Sequence, residues 1–547
     1  MLSDKPAENR FLIVDNYPFG RDTLRRSLLS LGASKVDIAV SASSAINMCK
    51  NVDYDMVLAD YDLGEGKNGQ QLLEELRSQK ILPNVSAFVI LTSETQRDVV
   101  LSTLEYQPDD YLAKPYPQNL LIRRVKRLLR YKSSLHEVFQ SIDGDSYQLA
   151  VQDCENYLAS NDEFRSNTQR ILAELHHTLG NSDSAREIYD LELINHDSDW
   201  ARLGLAKVHL QQGRLYEAEA LYLELIDINY MYIEAYEDLS KIYLETEDFK
   251  KAEDIMARAV LVSPLSIRRQ QWYASICERN NHYDTAIGAW RNIIKATRNT
   301  KYESADNHLN LSRCISDFCD HHDTYTDNVV TSEIARHLDL MRTRFHVYGD
   351  NELQSLLIEG RVSYGKGNKE DSKERMAQAK ALYEESPSSF SEDCQLEFAK
   401  TLSQSGDNVR AERVLKALVK NSKDPAILSK ADKILDEPVS KDGKSKIIKL
   451  NRQGIKQFKA AEYPKAAEYF REAQMFFPKN IELNLNLTQA LLKSIKVSTD
   501  SNQIEQWLTE AEQCLTQIRG IPTSHKKYNN YQRLSKELLA MQDDIAA

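Results

Sequence analysis

Over about the first 130 residues, short apolar runs alternate with longer amphipathic stretches. The apolar runs fall at residues 11–14, 36–40, 56–59, 87–91 and 111–113, and each is short enough to be a buried strand. Between them lie helix-period segments such as residues 21–31 and 70–79. Strand–helix alternation of this kind predicts a five-stranded, doubly wound parallel α/β sheet covered on both faces. In such sheets ligands sit at the carboxyl ends of the strands, so the residue after each strand is the one to inspect.

From about residue 135 the strand pattern gives way to helical periodicity with an internal repeat. Ala218, Ala252 and Ala286 are spaced by 34 residues. Gly213, Glu247 and Asn281 stand five positions before them; Leu215, Phe249 and Tyr283 stand three before. Tyr222, Met256 and Trp290 stand four after, and small residues (Ala206, Ser240, Ala274) stand twelve before. Two antiparallel helices can cross closely only where side chains are small, and larger residues fill the holes between neighbouring pairs. A 34-residue helix–turn–helix unit with these positions resembles the tetratricopeptide repeat. Looser units occupy 175–194 with Gly180, Ala185 and Tyr189, 360–383 with Gly367, Ser372 and Met376, and 399–419 with Gly406, Ala411 and Leu415. A better match at 454–478 holds Tyr463, Ala466, Phe470, Ala473 and Pro478. That makes about seven repeats in an all-α solenoid, with an off-period stretch at 302–350. The expected domains are 1–132, a repeat array over 133–435, a linker at 436–446 and further repeats over 447–547.

The strand ends of the first domain carry an ordered set of chemical groups. Asp15 and Asn16 follow the first strand, Asp60 the third, Thr92 and Ser93 the fourth, and Lys114 and Pro115 the fifth, which contains Tyr111. In that order the set resembles the receiver domain of bacterial two-component response regulators over nearly all of residues 9–130. The resemblance implies that Asp60 accepts a phosphoryl group from the phosphohistidine of a sensor histidine kinase, forming an acyl phosphate. It implies Mg²⁺ held by Asp15, Asn16, Asp60 and the backbone carbonyl of Asp62. Lys114 would pair with the carboxylate and then the phosphate, and Thr92 would bond a phosphate oxygen. Its movement would let Tyr111 turn inward and remodel the face of the fourth and fifth strands.

Two departures from the family pattern matter. Receivers usually place two acids after the first strand; here the second is Asn16, which predicts weaker Mg²⁺ binding. The loop after Asp60 lacks the usual proline and reaches its glycine, Gly69, nine residues on instead of eight. A degenerate receiver would keep the fold without being phosphorylated, and the joint presence of Asp60, Thr92, Lys114 and Tyr111 argues against it.

Composition narrows the functional classes. The net charge of −12 repels a phosphate backbone, so nucleic acid is a poor default partner. No run approaches the ~18 apolar residues of a membrane span, and seven scattered cysteines fit a reducing cytoplasm. Cys314, Cys319, His321 and His322 cluster with Asp317, Asp320 and Asp323, but their spacing is loose for zinc, and a repeat-helix end is the better reading. Arg123, Arg124, Lys126, Arg127, Arg130 and Lys132 alternate with Val125, Leu128 and Leu129, which predicts an amphipathic helix with a solvated basic face continuing toward Leu135. Phosphate-loop, nucleophile-elbow and zinc-protease motifs are absent from the sequence, so no enzyme is expected. The reading is a phosphorelay regulator whose repeat scaffold binds other signalling proteins under control of Asp60. The alternatives are a phosphate acceptor or inhibitor acting on a sensor kinase, then a DNA-binding regulator, then an enzyme hidden in 302–350. Either the Tyr111 face or the array could support a homodimer.

Overall fold

The computed structural model describes residues 5–64, 66–93, 107–298, 302–322, 324–435, 438, 440–498, 500–521 and 525–546. Five parallel strands, β1 (Arg10–Val14), β2 (Lys35–Ala39), β3 (Met56–Asp60), β4 (Ala87–Thr92) and β5 (Asp110–Ala113), form one sheet in the order β2-β1-β3-β4-β5. The strands are near-continuous apolar runs because both faces are covered. Leu12, Val14, Val57, Ala59, Phe88 and Ile90 face α2 (Ala42–Asn51) and α3 (Gly69–Ser78). Their alternates Phe11, Ile13, Met56, Leu58, Val89 and Leu91 face α1 (Pro18–Leu31) and α4 (Gln118–Ser134). Val14 is paired with Ala59, Asp60 with Leu91 and Thr92 with Ala113, so the carboxyl ends of β1, β3, β4 and β5 lie at one edge.

The basic run lies on α4, which buries Val125 and Leu129 as the pattern predicted and Leu121 besides, while Leu128 is half-buried. Lys132 departs from the prediction: it is only 3% exposed rather than on the solvated face. Its Nζ lies 2.6 Å from Asp109 Oδ1, donates to the Asn84 carbonyl at 2.6 Å and sits 4.3 Å from the centre of the Phe139 ring. Asp109 also accepts from Arg77 at 3.1 Å and from the Phe88 backbone at 2.7 Å. Phe139 belongs to α5 (His136–Asp143), whose last residue, Asp143, accepts from the backbone N–H groups of Asn84 and Val85 at 2.8 and 3.1 Å. A charge that a helix pattern assigns to water is thus buried because α5 folds back over it and an acid far away in sequence neutralises it.

Beyond α5 the chain is helical throughout the described residues, in antiparallel pairs such as Asp199–Gln211 with Leu215–Ile228 and Ile233–Glu245 with Phe249–Val262. Ala206, Ser240, Ala274, Ala218, Ala252 and Ala286 are fully buried at the crossings. The turn between paired helices has one recurring conformation. Gly180, Gly213, Glu247, Asn281, Gly367, Gly406 and Ala461 all have positive φ. Four are glycine, which adopts this region at no steric cost; exposed Ala461, at φ 61°, does not. Ala461→Gly is therefore expected to stabilise its repeat by about 1 kcal/mol. Thermal unfolding of the full chain should show the affected transition move upward, and no movement would refute the strain.

The chain forms two compact units, Met1–His321 and His322–Ala547. The division falls inside the off-period stretch 302–350, where Ala305–His322 and Asn328–Arg344 are longer than the repeat helices between Asp199 and Thr297, and not at the 436–446 segment. Within that segment a helix already begins at Lys441. Ser440 caps it by accepting from the Gly443 N–H at 2.9 Å, and Asp432 holds Ser440 in turn. The linker composition conceals this cap.

Candidate functional site

The aligned strand ends bring the predicted groups together. Asp60 is the last residue of β3 and is buried. One of its carboxylate oxygens lies 2.5 Å from Lys114 Nζ; the other accepts from the Asp62 N–H at 3.2 Å. Asp15, fully buried after β1, lies 3.4 Å from the same Lys114 ammonium and accepts from the Tyr17 N–H at 2.7 Å. Thr92 ends β4, buried, and its carbonyl accepts from the Lys114 N–H at 2.6 Å. One cation therefore serves two carboxylates. Burial raises the Asp60 carboxyl above its ordinary range, and the charge of Asp15 adds to this. The Lys114 hydrogen bond and charge, and the Asp62 N–H, oppose it.

Asn16 Oδ1 is buried and without a hydrogen-bond partner. An orphaned buried amide oxygen on the residue next to Asp15 suits a hard divalent cation, which takes oxygen ligands. Asp15, Asn16, Asp60 and the Asp62 carbonyl could hold Mg²⁺ between them. Since the amide supplies an oxygen without a charge, Asn16→Asp is expected to tighten Mg²⁺ binding by about tenfold, read by titration calorimetry. Unchanged affinity would show that Asn16 lies outside the cation's reach.

Tyr111 is half-buried on β5 and packs at the edge of the α2–α3 core. The segment 94–106, between β4 and β5, lies outside the described residues, so the full face that Tyr111 would remodel is not described. Asp323 of the Cys/His cluster also lies outside them. Cys314 and Cys319 are buried in the Ala305–His322 helix, and the His321 ring lies 4.9 Å from that of Tyr283. Among the described residues no group of three or more His, Cys, Asp or Glu side chains is placed to hold a metal ion.

Gly20 and Tyr116 escaped the sequence reading, as did the steric reason for Gly69, which was noted only for its spacing after Asp60. A Cβ on Gly20 would stand 2.4 Å from Asp15 Oδ2, and one on Gly69 would stand 2.2 Å from the Asp60 carbonyl oxygen, so each glycine gives an acidic residue its room. A glycine inside the first turn of a helix was the available signal. Tyr116, two residues after Lys114, has its hydroxyl pushed up to about 12 by burial and then by the charges of Asp15 and Asp60. No spacing rule flagged it.

The comparisons agree with this geometry. Residues 11–126 match the family described as response regulator receiver domain, and residues 167–190 and 200–224 match the tetratricopeptide repeat. The N-terminal domain is a response regulator receiver domain. Tetratricopeptide repeats follow it. The receiver is similar to the regulatory protein VanRB of Enterococcus faecalis, 28% identical over 131 residues, covering 24% of this chain and 57% of that protein. It is similar to the transcriptional regulatory protein MalR of Bacillus subtilis, 34% identical over 106 residues, 19% of this chain and 43% of that one. The chain thus spans about half the length of these two relatives. Among solved structures, the response regulator TrrA of Thermotoga maritima in complex with Mg(2+)-BeF shares 27% identity, with a TM-score of 0.20, covering 22% of this chain and 98% of that one. No described helix is long and apolar enough to cross a membrane.

The receiver also forms a wall of a second feature. A cavity of about 1150 Å³ opens between it and the inner helices of the first repeats. Tyr61, Gln70 and Glu74 line it from the receiver; Tyr232, Glu237 and Arg268 line it from the repeats. The Tyr302 hydroxyl donates to Glu74 across it. Tyr61 is the residue after Asp60, tied to β4 through its N–H on the Leu91 carbonyl at 2.7 Å and to α3 through the Gly69 N–H on its own carbonyl at 2.8 Å.

Proposed function

We propose that Asp60 is the phosphoacceptor of a phosphorelay and that its phosphorylation changes what the repeat array binds. The observation that carries this reading is the shared wall: the residue joined to Asp60, and the helix after its loop, line the concave cavity of the repeats. In the transfer an Asp60 carboxylate oxygen attacks phosphorus, the P–N bond to the kinase histidine breaks, and the imidazole leaves with the electron pair and takes a proton. The product is an acyl phosphate. Lys114 moves its hydrogen bond from the carboxylate to a phosphoryl oxygen, and the Thr92 hydroxyl donates to another. Mg²⁺ held by Asp15, Asn16, Asp60 and the Asp62 carbonyl would, when bound, supply positive charge against the transferred group. The loss of the Asp60–Lys114 pair and the arrival of a dianion act on the loop from Asp60 to Gly69, and through Tyr61 and α3 on the cavity wall.

On this reading the protein is not an enzyme turning over a substrate but a cytoplasmic switch. Its partners are a sensor histidine kinase as donor and a signalling protein held by the array. All seven cysteines are buried free thiols, in keeping with that compartment.

Intact mass after incubation with Mg²⁺ and a small phosphodonor tests the first step, with Asp60→Ala beside it. One labile phosphoryl adduct on the native chain alone is the expected result. No adduct, with purified sensor kinases tried as donors too, would sink the reading. Solvent exchange at Tyr61 and the Tyr232–Arg268 segment, compared between the two states, tests the second step. Identical exchange would uncouple the array from Asp60. If the captured partner proves to be a sensor kinase whose phosphate flow to another regulator falls, the protein is a phosphate sink instead.

A further inference from the structure

The helix Lys441–Lys459 in the second unit carries a face that no other part of the described chain answers. At about 100° per residue, Lys441, Lys444, Lys449, Arg452, Lys456 and Lys459 fall within a strip about 140° wide and about 27 Å long. All six are exposed, and none is in an ion pair with any described residue. In a chain of net charge −12 that is a local reversal of sign. Two isoleucines lie within the strip towards one edge, with Lys444 on one side and the other cations on the other, Ile448 at 49% exposure and Ile455 at 39%. A shallow depression of about 610 Å³ runs along it. The opposite face is an ordinary repeat face, with Leu450 buried and Gly454 closed against the Phe470 ring.

The repeat architecture shows what this strip lacks. Phe249–Val262 packs along Ile267–Arg279, Tyr463–Phe476 along Ile481–Ile495 and Asp350–Gly365 along Glu392–Gln404, so in these repeats the first helix of a pair is covered by an earlier helix. Pro425–Leu435 does not run along Lys441–Lys459 in this way; it meets the start of that helix, through Asp432 on Ser440. The edge a preceding helix would cover is open.

We infer that this strip is a docking surface for an acidic amphipathic helix of a partner protein, which takes the place of the missing preceding helix. Glutamates and aspartates on its flanks meet the six cations, and its apolar ridge covers Ile448 and Ile455. Nucleic acid fits less well. It has no use for the two isoleucines, five of the six cations are lysines without arginine's bidentate fork, and no aromatic lies on the strip for base stacking. An anionic bilayer fits less well too, because most of the helix's apolar residues are already buried against its own repeat.

The test uses the full chain and a labelled synthetic helical peptide with glutamates flanking a leucine ridge, followed by fluorescence anisotropy. Binding should weaken about tenfold as salt rises from about 50 to about 300 mM. The triple variant Lys444→Glu, Lys449→Glu, Arg452→Glu should weaken it about a hundredfold. Ile448→Ser with Ile455→Ser, which keeps the charge, should weaken it about tenfold. A scrambled peptide of the same composition should bind poorly. Equal binding of the scrambled peptide, indifference to either variant, or no binding would overturn the proposal. Tighter, strip-dependent binding of duplex DNA or of phosphatidylserine vesicles would overturn it in favour of those ligands. Self-association of the chain that the triple variant abolishes would assign the strip to a second copy.

Discussion

Replacing Asp109 by alanine should cost the first unit about 3–5 kcal/mol. The carboxylate is shared by Arg77 and by Lys132, and it also holds the Phe88 N–H at the start of β4. Without it buried Lys132 and half-buried Arg77 keep only the weaker influence of Asp143 as counter-charge. Burial already holds both Arg77 and Lys132 below their ordinary pKa values, and Asp109 is the leading opposing influence on each. Removing one partner of a buried network leaves the desolvation cost of the others in place. Denaturant unfolding of the full chain should show an early transition, and hydrogen exchange should locate it at α4, α5 and the 80–88 segment. A cost under about 1 kcal/mol would mean that water or another acid takes over. Because Lys132 also touches Phe139 of α5, the variant should loosen the receiver from the repeats before it unfolds the sheet.

Asp60→Asn is expected to abolish the phosphoryl adduct while making the metal-free protein more stable at neutral pH. The carboxyl's folded pKa lies above its ordinary value of 3.8, with burial as the chief cause. The folded state therefore holds the Asp60 proton more tightly than the unfolded chain does. The stability this proton contributes is present below 3.8 and is lost as pH rises through the raised folded value. Above that window the native protein carries the cost of a buried, crowded carboxylate, and the amide does not. Thermal unfolding in chelator should show the variant melting higher at pH 7 and the two proteins converging in acid. Mg²⁺ should raise the native midpoint and leave the variant's nearly unmoved. A variant that melts lower at pH 7 in chelator would show that the Lys114 pair outweighs burial.

The sequence alone determined the two textures of the chain and the membership of the candidate site. Strand ends in a parallel sheet converge by construction, so Asp15, Asn16, Asp60, Thr92 and Lys114 could be placed together from their positions after apolar runs. The repeats were legible because a 34-residue period recurs at crossings that admit only small side chains; that seven turn positions share a positive φ came from the structure. Periodicity says which face of an element is apolar. It does not say which charges will be buried by a partner distant in sequence. Lys132 was therefore misplaced, and neither Asp109 as its counter-ion nor the orphaned Asn16 oxygen could be foreseen. The cap that starts a helix at Lys441, the division of the chain near His321 and the cavity between Tyr61 and the repeat groove were decided only in three dimensions. The division and the cavity depend on contacts between segments tens to hundreds of residues apart, which a local pattern of apolar and polar positions does not encode; the cap rests on Asp432 reaching Ser440, eight residues on, across a segment whose composition reads as a linker.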